Sequence, residues 1–86
     1  MNNLSLNFKP GQGFTIKRKL ILCDYNGYGV KTIPIGTDLF YVTETNNPIL
    51  NKTWIVIELD EVEYCVNPKA LVGFDYSKDK VGNKNE

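Results

Sequence analysis

The sequence predicts an all-β domain: a small five-stranded barrel, preceded by an extra amino-terminal β-hairpin segment and carrying one 3-10 turn. Three observations point there. Apolar residues come in short runs rich in β-branched and aromatic side chains, most clearly in TWIVIEL at residues 53 to 59. Gly, Pro and Asn break the chain between those runs. No stretch repeats its apolar residues with the period of a helix of useful length. With 86 residues the chain is one domain and not two. A domain of that size buries only roughly 60% of its unfolded surface, so its core is thin.

Leu4, Leu6 and Phe8 alternate and suit a first short strand. Lys9-Pro10-Gly11-Gln12-Gly13 follows as a turn, because proline fixes φ and glycine admits positive φ. Residues 14 to 22 place Phe14, Ile16, Arg18, Leu20 and Leu22 on one face and Thr15, Lys17 and Lys19 on the other, the pattern of a single half-buried strand. A loop is expected from Asp24 to Gly36, with a short strand inside it from Val30 to Ile35. Residues 38 to 44 form the next strand, and Asn46-Asn47-Pro48 ends it. In the strand 53 to 59, Ile55, Ile57 and Leu59 face the core, and Trp54, Val56 and Glu58 face the opposite side. Asp60-Glu61 is a two-residue turn, although that pair is less favoured there than Asn-Gly. Residues 62 to 66 pair back with Val62, Tyr64 and Val66 inward. Asn67-Pro68 caps one turn of 3-10 helix, and a last strand is expected from Val72 to Tyr76. Residues 1 to 76 are thus one domain. The charged tail, 77 to 86, has too few apolar groups to offset its ordering entropy and is expected to be disordered.

This order of elements resembles the SH3-like barrel over about residues 20 to 76. Ile21-Leu22-Cys23-Asp24-Tyr25 is similar to the ALYDY stretch before the long loop of SH3 domains, with Cys23 in place of the first tyrosine. Gly36-Thr37-Asp38-Leu39 stands at the glycine turn into the next strand. Trp54 matches the tryptophan that begins the third strand, and Val66 to Val72 matches the proline-containing 3-10 turn. The resemblance implies the fold. It does not imply proline-rich peptide recognition, since Asn26 to Thr32 lacks acidic residues, Leu71 replaces a groove tyrosine and Ile55 replaces the second tryptophan.

Ten cations balance ten carboxylates, which argues against a general nucleic-acid or membrane binder. The charges are segregated all the same. Lys17, Arg18 and Lys19 form a basic cluster; Glu58, Asp60, Glu61 and Glu63 form an acidic one. Two solvated strand faces explain both, and patches that meet in the fold or across a homodimer are the alternative. The absence of histidine removes the commonest general base and the commonest zinc ligand. No nucleophile motif or phosphate loop occurs, so a non-enzyme without metal or cofactor is expected. Cys23 and Cys65, far apart and without a CxxC spacing, read as buried reduced thiols. MNNLSLNFK lacks the pattern of a signal peptide and no run is long enough for a membrane helix, so a cytoplasmic protein is expected. Abundant Asn and Lys beside a single arginine are the amino-acid mark of an AT-rich genome, which suits a low-GC bacterium or its phage.

The local chemistry of a turn accounts for Asp24, Asn26 and Gly27 but not for two tyrosines. Tyr25 and Tyr28, with Trp54 and Tyr41, are therefore the candidate contacts to a protein partner, since tyrosine and tryptophan supply large contact area at low entropic cost. Trp54 is either an outward anchor or is covered by the amino-terminal hairpin. Lys17, Arg18, Lys19 and Lys31 beside Tyr25 and Tyr28 would suit single-stranded nucleic acid as an alternative partner. The expected function is a small protein-binding module, an accessory protein of a phage or mobile element that binds a host protein. A structural subunit of a homo-oligomer is the further alternative.

Overall fold

The computed structural model describes residues 8–47, 52–71, 76–78 and 82–83. The chain is all-β. The described residues form seven strands, β1 (Gly13–Ile16), β2 (Leu20–Cys23), β3 (Gly29–Ile33), β4 (Asp38–Asn47), β5 (Lys52–Leu59), β6 (Val62–Val66) and β7 (Tyr76–Ser77), with one 3-10 turn, Pro68–Leu71, between β6 and β7. They form one antiparallel sheet in the order β3-β2-β6-β5-β4-β1-β7. No helix among the described residues is long and apolar enough to cross a membrane.

The single strand expected over 14 to 22 is two. β1 lies between β4 and β7, whereas β2 lies between β3 and β6. Between them the chain bends at Lys17 and Arg18. Ile16 fixes the end of β1: its N–H donates to Thr37 O at 3.1 Å, and its carbonyl accepts from Gly36 N–H at 2.9 Å. Three linking residues span at most roughly 14 Å from Ile16 to Leu20. The sheet must therefore curl until strands far apart in its order come together. The core records this, since Phe14 and Ile16 of β1 pack in one cluster with Leu20 and Leu22 of β2, Leu39 and Tyr41 of β4, Ile55 and Ile57 of β5, Val66 and Leu71. The apolar alternation runs through the bend unbroken. Arg18, expected on the core face, sits in the bend itself and is exposed.

The stretch expected as a loop from Asp24 to Gly36 is largely a hairpin. β3 pairs with β2 from Leu20↔Ile33 to Cys23↔Gly29, with a bulge at Leu22/Cys23. Its turn is built by Asp24, whose carboxylate accepts from the N–H groups of Asn26 (2.9 Å) and Tyr28 (3.0 Å). Gly27 supplies the left-handed residue at φ 91°. β4 extends past its expected end, through Asn46 and Asn47, and bulges between Tyr41 and Thr43. β5 and β6 join through Asp60-Glu61 as expected, with φ of 53° and 67°. A two-residue hairpin in this conformation needs positive φ at both positions, which explains the strained geometry of two ordinary residues. Asn67 caps the 3-10 turn: its Oδ1 accepts from Lys69 N–H and its carbonyl from Ala70 N–H.

The expected amino-terminal strand lies outside the described residues except for Phe8. That ring stacks on Phe14 at 4.6 Å and on Tyr41 at 5.4 Å and meets Tyr76 at 5.3 Å. Of the expected last strand, residues 72 to 75 lie outside the described residues, and Tyr76 and Ser77 pair with Ile16 and Thr15. The tail expected to be disordered also contributes a bridge from Asn83 to Gln12, and Gly13 N–H donates to Gly82 O at 3.0 Å.

A second, smaller cluster joins Cys23, Trp54, Val56 and Cys65, with Val42 against it. Trp54 and Val56 do face away from Ile55 and Ile57, as the alternation required. That face is nonetheless covered, so β5 is buried from Trp54 through Ile57 without a break.

Candidate interaction surface and thiol pair

The exposed large apolar side chains are concentrated. Ile21 (58% exposed), Tyr25 (50%), Tyr28 (67%), Val30 (54%) and Ile35 (67%) all fall between residues 21 and 35, and Val62 is the other one among the described residues. They sit on the hairpin β2–β3 and its continuation. Among the described residues β3 is the end strand of the sheet, and it is exposed from Gly29 through Thr32. A sheet edge offers backbone N–H and C=O groups to another chain. Here the edge carries apolar side chains as well.

The four sequence-predicted aromatics separate into two pairs. Tyr25 and Tyr28 are exposed at the hairpin tip. Tyr41 is buried in the main core under Phe8, and Trp54 is buried in the second cluster. Neither Tyr41 nor Trp54 presents a surface anchor. For Trp54 the physical reason is that its face of the sheet is lined by Val56, Cys65 and Cys23, the last brought alongside β6 by the Cys23↔Cys65 pairing, with Val42 packed against them. Its indole Nε1 has no hydrogen-bond partner among the described residues.

Tyr25 reaches back to the sheet. Its hydroxyl donates to Glu63 Oε1 at 2.9 Å. The hydrogen bond to Glu63 raises the phenol pKa, with burial and the Glu63 charge adding to it. Burial, and after it the charge of Glu44, raises that of Tyr41.

Lys17, Arg18, Lys19 and Lys31 are all exposed. Across residues 17 to 35 these four cations stand against one carboxylate, Asp24, in a chain whose total charge is zero. Arg18 and Lys19 also wall a cleft of about 470 Å³, with Leu20, Ile21, Cys23, Gly27 and Gly29 on the hairpin side and Asn67 and Ala70 on the side of the 3-10 turn. It opens where β2 parts from β6, because the two strands pair at Cys23↔Cys65 alone among the described residues.

Ile21, Val30 and Ile35 were not singled out from the sequence. A signal existed for Ile21, which falls on the wet side of the alternation with Lys17 and Lys19. A lone aliphatic residue inside an apolar run looks like core until its neighbours are known.

Both cysteines are free thiols and buried, Cys65 at 1% and Cys23 at 9% exposed. Burial raises the pKa of each. For Cys23 the Asp24 charge adds to it, and for Cys65 the charges of Cys23, Asp24 and Glu63. Among the described residues no three His, Cys, Asp or Glu side chains converge as metal ligands do. No known family, curated protein or solved structure matches the chain.

Proposed function

We propose that this is a small non-catalytic protein-binding module, and that the hairpin β2–β3 is its contact surface. One observation carries the reading: Ile21, Tyr25, Tyr28, Val30 and Ile35 are exposed together on and beside an edge strand. A small domain with a thin core does not leave its apolar groups in water in one place without a use for them. Tyrosines at such a patch add contact area and a polar handle. The accompanying fold is an SH3-like barrel. Support for it comes from the short β1–β2 link that makes the sheet curl, the tight β5–β6 hairpin, the 3-10 turn and the short last strand against β1. The partner is a host protein met in the cytoplasm, in keeping with a phage or mobile-element accessory role.

Lys17, Arg18, Lys19 and Lys31, exposed in the same stretch of chain as Tyr25 and Tyr28, favour single-stranded nucleic acid as the second reading. Site-specific photo-crosslinking separates the two. A crosslinker at Tyr28 or Val30 should yield a protein adduct that survives nuclease and high salt, and one at Glu44, an exposed residue of β4 outside the hairpin, should not. Val30→Asp should abolish the adduct formed from position 28. Nuclease-sensitive adducts would transfer the surface to nucleic acid, and equal labelling from position 44 would remove the hairpin from the interface.

A further inference from the structure

We propose that Cys23 and Cys65 are an oxidation site: a cross-strand pair that closes into an intramolecular disulfide with a small disulfide oxidant and staples the β2–β3 hairpin to the sheet. This stands independently of the protein-binding reading.

The register carries it. Cys23 and Cys65 are direct partners on antiparallel strands. Residues so placed have Cα atoms about 4.5 to 5.5 Å apart and side chains on the same face. A disulfide accepts Cα separations of roughly 4.4 to 6.8 Å, and the separation typical of such partners falls within that range. The two side chains already pack in one buried cluster with Trp54 and Val56. Forty-one residues lie between them in the chain, so their meeting is a product of the fold and not of local sequence.

The two thiols differ in access. Cys23 lines the cleft beside Arg18 and Lys19, and Cys65 does not. Oxidised glutathione, which carries carboxylates, would enter past those cations. The Cys23 thiolate attacks one sulfur of the oxidant, forming a mixed disulfide and releasing one glutathione as the thiol. The Cys65 thiolate then attacks the Cys23 sulfur and releases the second. In sum two protein thiols and one glutathione disulfide give one protein disulfide and two glutathione thiols. Burial holds both thiols in the protonated form at neutral pH, so the exchange is slow there and accelerates as the pH rises.

The consequence falls on the hairpin. Its only strand pairing to the rest of the sheet, among the described residues, is this same residue pair. A covalent bond there removes the motions in which β2 lifts away from β6.

The test is oxidation of the purified, reduced full-length protein with glutathione disulfide at mildly alkaline pH, read by intact mass. The expected product is a monomer lighter by two hydrogens, with no titratable thiol. Cys65→Ser should stop at a glutathione adduct on Cys23, and Cys23→Ser should react at least about tenfold more slowly than Cys65→Ser, since its remaining thiol is the more deeply buried of the two and does not line the cleft. Amide exchange across residues 20 to 33 should slow by about tenfold or more in the oxidised protein and recover on reduction. A stable glutathione adduct on the unmutated protein, or a disulfide-linked dimer, would overturn the pairing. Unchanged exchange in the hairpin of the oxidised monomer would overturn the staple.

Discussion

The meander β4–β5–β6 and the hairpin β2–β3 are built from similar residues and treat them in opposite ways. β4 pairs with β5 from Phe40↔Glu58 to Asn47↔Lys52, and β5 pairs with β6 along its whole carboxy-terminal half. Four consecutive side chains of β5 are buried. The hairpin β2–β3 has one buried face, Leu20, Leu22 and Ile33, and holds Ile21 and Val30 in water. The meander keeps its apolar surface for stability. The hairpin leaves part of its own available for contact. The difference lies in neighbours and not in composition: β5 is sandwiched between strands and covered on both faces, and among the described residues β3 has a strand on one side only.

The largest effect that tests this contrast is in the cores. Ile57→Ala, at a fully buried position of β5, should cost about 3 to 4 kcal/mol. That is a large share of the roughly 5 to 10 kcal/mol that a domain of this size commands. Ile21→Ala on the hairpin should change stability by no more than about 0.5 kcal/mol. Urea denaturation of both variants checks the pair. Comparable losses would mean that Ile21 is covered in solution, and the proposed surface would shrink accordingly.

Next come the glycines of the hairpin. Gly27 sits at φ 91°, where a side chain costs about 1 to 2 kcal/mol. Gly27→Ala should therefore destabilise by that amount and loosen the tip that carries Tyr25 and Tyr28. Gly29 is tight for a different reason: an added Cβ would stand 2.9 Å from Ile21 Cγ2. That methyl is borne on the Cβ of a β-branched residue, so relief needs a turn of the stiff Ile21 χ1 or a small backbone shift. Gly29→Ala should thus cost about 0.5 to 1 kcal/mol, the strain at Ile21 being offset in part by the stiffer unfolded chain. Thermal melts of the two variants would separate backbone geometry from crowding.

These positions also show what the sequence disclosed. The turn at Asp24-Asn26-Gly27, the two-residue turn at Asp60-Glu61 and the Asn67 cap were legible, because each is made by residues within four places of one another. The outward face of Trp54 was legible from alternation, but its burial was not, since β2 arrives there from thirty residues upstream. The break between β1 and β2 was hidden for the same reason. Phe14, Ile16, Leu20 and Leu22 keep one parity across the bend, and only the choice of partner strand changes. Of the site, Tyr25 and Tyr28 stood out as surplus to a turn, and Ile21, Val30 and Ile35 were indistinguishable from core until β3 proved to be an edge.

A smaller effect belongs to the meander's own turn. Asp60 and Glu61 both occupy the left-handed region, which suits Asn and Gly far better. Glu61→Gly should stabilise the protein by about 0.5 to 1 kcal/mol, measured as a shift of the urea midpoint at unchanged slope. A loss instead would mean that the Glu61 side chain makes contacts that outweigh its backbone strain.

The smallest effect reads the tie between the two regions directly. Besides the Cys23↔Cys65 pair, the hairpin touches β6 through the Tyr25 hydroxyl on Glu63. That hydrogen bond needs the phenol proton, so the folded protein holds it more tightly than the unfolded chain does. A raised folded pKa means a stabilisation that is complete below the ordinary tyrosine value of about 10 and is lost as the pH climbs through the folded value. Phenolate absorbance should show two tyrosines titrating above that ordinary range, Tyr25 on this account and Tyr41 through burial, and Glu63→Gln should bring only the Tyr25 signal back down, because the hydrogen bond to a charged acceptor and the charge itself are both removed. Tyr25→Phe should erase the signal with little change in stability at neutral pH, since the group is half exposed and water replaces its partner. If Tyr25 titrates at the ordinary value in the unmodified protein, the tip is detached from β6 in solution. The hairpin would then be anchored by its inward face and the cysteine pair alone, and oxidation of that pair would gain a correspondingly larger hold on it.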